Sequence, residues 1–188
     1  IAADILCPDA PADLAVLKLR LNEREDATRP LPFASIGDSD RLIVGDQVLL
    51  HVSNFRPVKR VLDVVRIFER VNREVPSVLL MAGEGPERAS AQALARRLGV
   101  ADRVRFMGRQ DHIEDILTMA DVFLLPSELE SLGLSALEAM ACGVPVVGSD
   151  AGGLPEVVRH AETGYLLPVG DVEGMAARTL EILQDEAR

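Results

Sequence analysis

The sequence has few aromatic residues, few cysteines and no long apolar run. Phe, Tyr and Trp make up 3% of its 188 residues, and Trp is absent. Stacking platforms for nucleic-acid bases and aromatic belts at membrane interfaces are therefore not expected. Two cysteines, Cys7 and Cys142, are too few for a disulfide framework and fit a reducing cytoplasm. The longest apolar runs, such as 78–82 and 122–126, fall far below the roughly 20 residues that a membrane helix needs.

Positive charge is also scarce, with 20 Lys and Arg against 30 Asp and Glu, a net charge of −10 and a pI near 4.8. A general electrostatic attraction to nucleic acid or anionic lipid is not expected. Any anionic ligand must be held locally, by a few basic side chains and backbone N–H groups. What remains is an ordinary globular composition, 48% apolar and 27% charged, which supports a packed core.

The chain length allows one domain. Residues 1–44 lack sustained periodicity: a short helix is indicated around 14–24, and a loop-like stretch with Pro and Gly follows. From residue 45 onward, short apolar runs alternate with segments of helical period, as in a series of βαβ units. We therefore predict an irregular lead-in over 1–44 and one α/β, Rossmann-like domain over 45–188.

Six apolar runs predict a doubly wound parallel sheet with helices on both faces. The predicted strands are 47–52, 77–82, 104–107, 122–125, 144–148 and 164–167. The predicted helices are 60–74, 87–98, 113–119, 132–141, 155–159 and 172–184. Sheets of this kind bind ligands beyond the carboxyl ends of their strands, so the loops that follow the strands are the places to look for a site.

The most informative of these loops follows the fourth strand, where residues 126–145 read PSELESLGLSALEAMACGVP. Glu130 and Glu138 stand eight residues apart, on either side of a predicted helix start. Two solvated carboxylates are the plain alternative, but Glu138 falls among apolar helix residues, where we expect a carboxylate to need a partner. A helix start here would also offer an anion three backbone N–H groups, those of Leu132, Gly133 and Leu134.

Further motifs accompany this pair of glutamates. They read ACGVPVV at 141–147, GGLPE at 152–156, GEGP at 83–86 and VRFMG at 104–108. In this order and spacing the motifs resemble the family-four retaining glycosyltransferases, and the resemblance covers about residues 45–188. It implies the C-terminal, nucleotide-sugar-binding half of a GT-B enzyme, whose acceptor-binding N-terminal domain is absent here.

Two segments are most similar to the bacillithiol-pathway members of that family. Residues 53–60 read SNFRPVKR, and residues 108–111 read GRQD. This similarity implies UDP-N-acetylglucosamine as the donor, L-malate as the acceptor, and neither a metal nor another cofactor. The family usually carries Gly-Arg where this chain has Ser53-Asn54, and commonly Phe where it has Leu132. The usual phosphate-binding Arg is therefore missing, and the shape of the sugar pocket stays open.

The resemblance also assigns roles to individual residues. Glu130 would bond hydroxyls of the donor sugar, and Glu138 those of the ribose. Lys59 would bind the diphosphate, with Arg56 as the second cation, and both would stabilise the departing nucleoside diphosphate. The uracil would lie near three residues: Gly108, Arg109 and Gln110. The remaining residues expected at the donor are Asn54, Gly83, Gly85, Leu132, Gly133 and Leu134.

Each of these signals also has a purely structural explanation. Lys59 and Arg56 would form a solvated basic helix start, although cations there oppose the helix dipole. GEGP would be a tight turn with Pro86 at the first helical position, and it lacks the third Gly of an NAD-binding fingerprint. The D-x-D-like triplet 38–40 falls in the lead-in, and His51 at a strand end fits a hydrogen-bonded structural role better than metal binding.

Two other functions stay open: a family-four transferase with another sugar or acceptor, and a non-catalytic nucleotide-binding module. Because the acceptor domain is absent, we expect this chain to bind a nucleotide and to be inactive or weakly active on its own. A homodimer stays open, while neither nucleic acid nor a membrane is an expected partner. The expected location is the cytoplasm.

Overall fold

The computed structural model describes residues 46–111 and 113–185. From Gln47 onward the chain forms one compact unit. The predicted lead-in over 1–44, with its short helix around 14–24 and the triplet 38–40, lies outside the described residues.

Six strands and six α-helices alternate along the described chain. The strands are β1 (Gln47–Val52), β2 (Ser77–Ala82), β3 (Val104–Gly108), β4 (Val122–Leu125), β5 (Val146–Ser149) and β6 (Gly164–Leu167). The helices are α1 (Val61–Glu74), α2 (Arg88–Arg97), α3 (Ile113–Leu117), α4 (Leu134–Ala141), α5 (Leu154–Val157) and α6 (Val172–Gln184). Short 3-10 helices cover Pro57–Lys59 and Ala101–Arg103.

All strand pairs are parallel, and the strands lie in the order β3-β2-β1-β4-β5-β6. This is the strand order of the doubly wound Rossmann sheet, so the predicted fold class is confirmed. The order reverses between β1 and β4, which pair at Leu49 with Val122 and at Leu50 with Phe123. The loops that leave these two strands therefore diverge to opposite faces and open a crevice between them, where such folds bind ligands.

The core lies on both faces of the central strands. Every residue of β2 and of β4 is buried, as expected for strands covered on both sides. Helix α1 packs against α2 and α6, while α3 packs against α4, and α4 against α5. Within the described ranges, no helix combines the length and apolar character needed to cross a bilayer.

The strand predicted over 144–148 begins two residues later, at Val146. Val144 donates its N–H to the carbonyl oxygen of Ala139 (2.9 Å), and this bond closes the end of α4. Pro145 follows and has no N–H to give to a strand ladder. The apolar run was therefore read correctly as a strand, but its first two residues end the preceding helix.

The helix predicted over 132–141 begins later than expected, at Leu134. Gly133, the residue before it, has φ of 77°, a left-handed conformation that is not helical. Leu132 lies before the helix and is exposed. Pro86 was also placed wrongly at a helix start, since it lies in a turn two residues before α2.

Candidate functional site

The loop after β1, residues 53–60 (the β1 loop), is folded tightly by two non-glycine residues with positive φ. Phe55 has φ of 41° and Arg60 has φ of 51°. Phe55 is fully buried, which anchors the middle of the loop in the core. The side chains of Asn54 and Arg56, on either side of it, are exposed. The loop therefore presents polar groups to solvent from a fixed backbone.

The loop after β2, residues 83–86 (the β2 loop), lies directly against the β1 loop. A Cβ atom on Gly83 would lie 1.8 Å from the carbonyl oxygen of Ser53, and one on Gly85 would lie 2.0 Å from that of Asn54. No side chain fits at either position. Gly83 also donates its N–H to the carbonyl oxygen of Gly108 (2.7 Å), which ties the β2 loop to the end of β3.

A cavity of about 450 Å³ opens at the carboxyl ends of β1, β2 and β3. Four of the residues predicted from the sequence line it: Asn54, Gly83, Arg109 and Gln110. The amide nitrogen of Gln110 donates to the carbonyl oxygen of Met107 (2.7 Å), which orients that side chain. Glu84, for which the sequence analysis gave no role, also lines the cavity and is ion-paired with Arg88.

Across the crevice, the loop after β4, residues 126–133 (the β4 loop), meets the β1 loop through an ion pair. The ammonium nitrogen of Lys59 donates to Oε1 of Glu130 at 2.6 Å. The Lys59 side chain is 20% exposed and that of Glu130 is 9% exposed. The two residues to which the sequence analysis assigned the diphosphate and the donor sugar are therefore in direct contact, 71 positions apart in the chain.

Two further contacts join the same loops. The backbone N–H of Glu128 donates to the carbonyl oxygen of Val58 (2.8 Å). The guanidinium of Arg60 donates to the carboxylate of Glu128 (3.1 Å) and pairs with Asp63 in the first turn of α1. Sequence reasoning gave no role to Arg60 or Glu128, because nothing local shows that charges this far apart in the chain will meet.

The loop after β5, residues 150–153 (the β5 loop), supports Glu130 from behind. Gly152 has φ of 59°, and a Cβ atom there would lie 2.1 Å from the carbonyl oxygen of Glu130. Gly153 donates its N–H to that same oxygen at 2.8 Å. From the sequence, the GGLPE motif supported only the family resemblance, and no structural role was predicted for it. Its two glycines allow the close approach that holds the Glu130 backbone in place.

A buried histidine lies near the end of β1. His51 is fully buried on β1 and makes two hydrogen bonds of 2.8 Å, with the Leu124 carbonyl oxygen and the Ser53 hydroxyl. Burial lowers the pKa of His51 from 6.5 to about 4; the hydrogen bond with Leu124 opposes this shift, the Lys59 cation adds to it, and the Glu130 carboxylate opposes it. His51 thus has its polar atoms satisfied, as the sequence analysis expected.

The surroundings of Glu138 differ from the expectation. Its side chain is exposed on α4, and the leucines predicted to bury it are exposed as well: Leu134 at 64% and Leu137 at 37%. The carboxylate therefore needs no internal partner. At the start of this helix the N–H groups of Gly133 and Leu134 have no acceptor within the helix, because the helix begins at Leu134.

The predicted residues fall into three places. The cavity is formed by the β1 loop, the β2 loop and the end of β3, and the ion pair joins the β1 and β4 loops. Glu138 lies on the solvent-facing side of α4. In the described ranges, no three His, Cys, Asp or Glu side chains are grouped so that they would hold a metal ion. Chemically, the edge combines backbone donors, a cation beside a carboxylate, and a cavity large enough for a nucleoside.

Known proteins match most of this chain. The family model described as glycosyl transferases group 1 matches residues 38–188. N-acetyl-alpha-D-glucosaminyl L-malate synthase of Bacillus anthracis is 50% identical over 141 residues, which are 75% of this chain and 37% of that protein. The structure of sucrose-phosphate synthase from Thermosynechococcus elongatus matches with a TM-score of 0.70 and 32% sequence identity. The match covers 86% of this chain and 41% of that protein. The structure of HepE from Anabaena, solved with UDP and glucose, matches with a TM-score of 0.70 and 26% sequence identity. The match covers 77% of this chain and 40% of that protein.

The chain spans well under half the length of the curated relatives it matches. The family match includes the whole described sheet and every loop of the candidate site. The fold is that of one Rossmann-like half of a GT-B enzyme, as the sequence motifs predicted. The chain belongs to the group 1 glycosyltransferases, a family of enzymes.

Proposed function

We propose that this chain is the donor-binding half of a glycosyltransferase that transfers N-acetylglucosamine from UDP-N-acetylglucosamine to L-malate. Support for the sugar and the acceptor comes from the 50% identity with a relative named N-acetyl-alpha-D-glucosaminyl L-malate synthase. Support for a uridine nucleotide comes from HepE, 26% identical to this chain and solved with UDP and glucose.

The observation that carries the proposal is the contact between Lys59 and Glu130 at the point where the strand order reverses. A nucleoside in the cavity beside this pair would extend its diphosphate toward the Lys59 ammonium. The exposed Arg56 belongs to the same loop and would supply a second cation. Departure of the nucleoside diphosphate builds negative charge, and cations already held in place stabilise that charge without reorganising.

The other residues at this edge would orient the donor. Glu130 would accept hydrogen bonds from hydroxyls of the sugar, while the exposed carboxylate of Glu138 is free to accept those of the ribose. Uracil would lie against Arg109 and Gln110 in the cavity. Gly85 and Gly108 would shape the backbone here, and the N–H groups at the start of α4, with Leu132 before them, would face the phosphates.

The proposal includes no metal, no other cofactor and no protein nucleophile in this chain. The acceptor and further catalytic groups would come from the remainder of a longer protein, because the relatives extend far beyond the matched region. A cytoplasmic location belongs to the same proposal and rests on the small number of cysteines in the sequence.

Calorimetric titration of the 188-residue chain with UDP and with UDP-N-acetylglucosamine tests the proposal. We expect both ligands to bind, Lys59→Ala and Glu138→Ala to lose most of the binding, and added EDTA to change nothing. Arg97→Ala and Glu74→Ala are the matched controls, since they remove an exposed cation and an exposed helix carboxylate away from the site. A folded wild-type chain that binds neither ligand would contradict the proposal.

A further inference from the structure

A chain of hydrogen bonds runs from the core of the sheet into the β1 loop. His51 Nδ1 lies 2.8 Å from the carbonyl oxygen of Leu124, and its Nε2 lies 2.8 Å from the hydroxyl of Ser53. The same hydroxyl receives the backbone N–H of Phe55 at 3.2 Å. Three bonds thus connect β4, β1 and the middle of the β1 loop.

The direction of each bond follows from the partners. A carbonyl oxygen only accepts, so the Nδ1 of His51 carries the proton and donates to Leu124. At neutral pH the Nε2 is then an acceptor, and the Ser53 hydroxyl donates to it. With its hydrogen committed, the Ser53 oxygen offers its lone pairs to the N–H of Phe55. Only one arrangement of hydrogens satisfies all four groups: the Leu124 carbonyl, the His51 ring, the Ser53 hydroxyl and the Phe55 N–H.

The last bond of this chain fixes an unfavourable backbone conformation. Phe55 has φ of 41°, a region that side-chain-bearing residues rarely adopt. This conformation costs free energy and persists only where the surrounding structure imposes it. Its ring is fully buried and stacks on the ring of His51, with 6.1 Å between ring centroids. His51 therefore restrains Phe55 both through ring packing and through the Ser53 hydroxyl.

The restrained segment is the one that carries the cations of the proposed site. Arg56 follows Phe55 directly, and Lys59 lies one turn further on, in contact with Glu130. The charges of Lys59 and Glu130 also act on the pKa of His51, the cation lowering it and the carboxylate raising it. A change in the conformation at Phe55 would move both cations, because the loop between them is a single short 3-10 turn.

We propose that His51 and Ser53 are positioning residues of the donor site, which hold the β1 loop in the conformation that presents its cations to the diphosphate. This inference rests on the proposed function of the same site. Ser53 is central to it, because its hydroxyl makes two of the three hydrogen bonds that link β4 to the β1 loop.

Ser53→Ala tests the inference, with Ser77→Ala as the matched control. Ser53 is partly buried and Ser77 fully buried, and the Ser77 hydroxyl donates to the carbonyl oxygen of Val75 at the opposite end of the sheet. We expect Ser53→Ala to raise the Kd for UDP roughly three- to tenfold, since losing the restraint lowers the population of the binding-competent loop. Ser77→Ala should lower the melting temperature about as much as Ser53→Ala does, and it should leave the Kd for UDP unchanged. Ser53→Thr, which retains the hydroxyl, should restore most of the affinity.

A second measurement does not depend on any variant. Nitrogen-15 NMR of the wild-type chain at pH 7 should show His51 as the neutral tautomer with the proton on Nδ1. A proton on Nε2, or a charged ring, would overturn the inference. Equal UDP affinity in the wild type and Ser53→Ala would overturn it too, while leaving the proposed function intact. A folded wild type that fails to bind UDP would overturn both.

Discussion

The ion pair between Lys59 and Glu130 places a carboxylate that is 9% exposed against the cation that satisfies it. We expect Lys59→Met to lower the free energy of unfolding by about 1–3 kcal/mol, because the carboxylate loses its hydrogen-bond donor while staying largely out of water. Glu130→Gln should lower the free energy of unfolding by a smaller amount. Urea unfolding of both variants and of the double variant should give a coupling energy of about 1 kcal/mol. Strictly additive effects would show that the pair contributes no coupling.

His51 makes stability depend on pH in a definite direction. Its pKa falls from 6.5 to about 4 on folding, so between these values the unfolded chain binds a proton that the folded chain does not. Stability is therefore fully present above pH 6.5 and is lost as the pH falls toward 4. We expect the free energy of unfolding to drop by about 1 kcal/mol between pH 7.5 and pH 5.5 from this residue. Urea unfolding at the two pH values measures the drop.

Replacing the histidine assigns the effect to this residue. His51→Gln should flatten the pH dependence that the wild type shows between pH 7.5 and pH 5.5. A wild-type slope that survives in His51→Gln would assign the effect to other groups.

Single residues mark the limit of what the sequence predicts. The motifs located Lys59 and Glu130 on loops that a Rossmann sheet brings to one edge, but they did not show that the two side chains touch. The left-handed conformations of Phe55 and Arg60 have no local signal, because neither residue type favours positive φ. Tertiary packing imposes them, and the positions of Arg56 and Lys59 depend on them.

At the scale of elements, the apolar runs predicted β1, β2, β4 and β6 with the bounds that the structure has. These strands are short, apolar and flanked by polar residues or turns, so the run and the strand coincide. The apolar run over 144–148 did not coincide with a strand, because its first two residues close the end of α4. Leu134 and Leu137 were expected to give Glu138 apolar surroundings, and their exposure shows that apolar spacing alone does not tell which surface a helix covers.

The contact between the β5 loop and the β4 loop leads to a prediction about Gly152. Ala at this position would suffer the strain of a left-handed φ, and its Cβ would lie 2.1 Å from the carbonyl oxygen of Glu130. Gly143 is the matched control: its φ is 77°, and a Cβ there would meet nothing within 4 Å. We expect Gly143→Ala to cost about 1 kcal/mol from the strain alone. Gly152→Ala should cost about 2 kcal/mol more, because the β4 loop must shift.

Chemical unfolding and UDP titration of the same two variants separate stability from binding. Gly152→Ala displaces the backbone of Glu130 and should weaken UDP-N-acetylglucosamine binding more than UDP binding, since Glu130 is assigned to the sugar. Gly143→Ala should leave both affinities unchanged. Equal unfolding free energies for the two variants would show that the β5 loop yields to the new methyl group without cost.

For the whole molecule, the net charge of −10 and the proposed anionic ligand are reconciled by geometry. The strand order gathers the few relevant cations and the free N–H groups at one edge, so the local potential there differs from the overall charge. The sequence predicted that these loops meet at one edge, because Rossmann topology leaves little choice about where they lie. It did not predict the cavity shape, which depends on the close approach of Gly83 and Gly85 to the β1 loop.

The last prediction concerns what the chain does alone. Transfer requires the acceptor hydroxyl to be held beside the anomeric carbon of the donor, and most of the rate gain in such a step comes from that positioning. The chain spans 37% of the L-malate synthase relative, and the site proposed among its described residues is assigned to the donor. We therefore expect the 188-residue chain to bind UDP-N-acetylglucosamine but to release UDP in the presence of L-malate no faster than its Lys59→Ala variant does. Rapid formation of the glycosylated malate by this chain would mean that the donor half carries its own acceptor site, and the division of labour argued from the fold would be wrong.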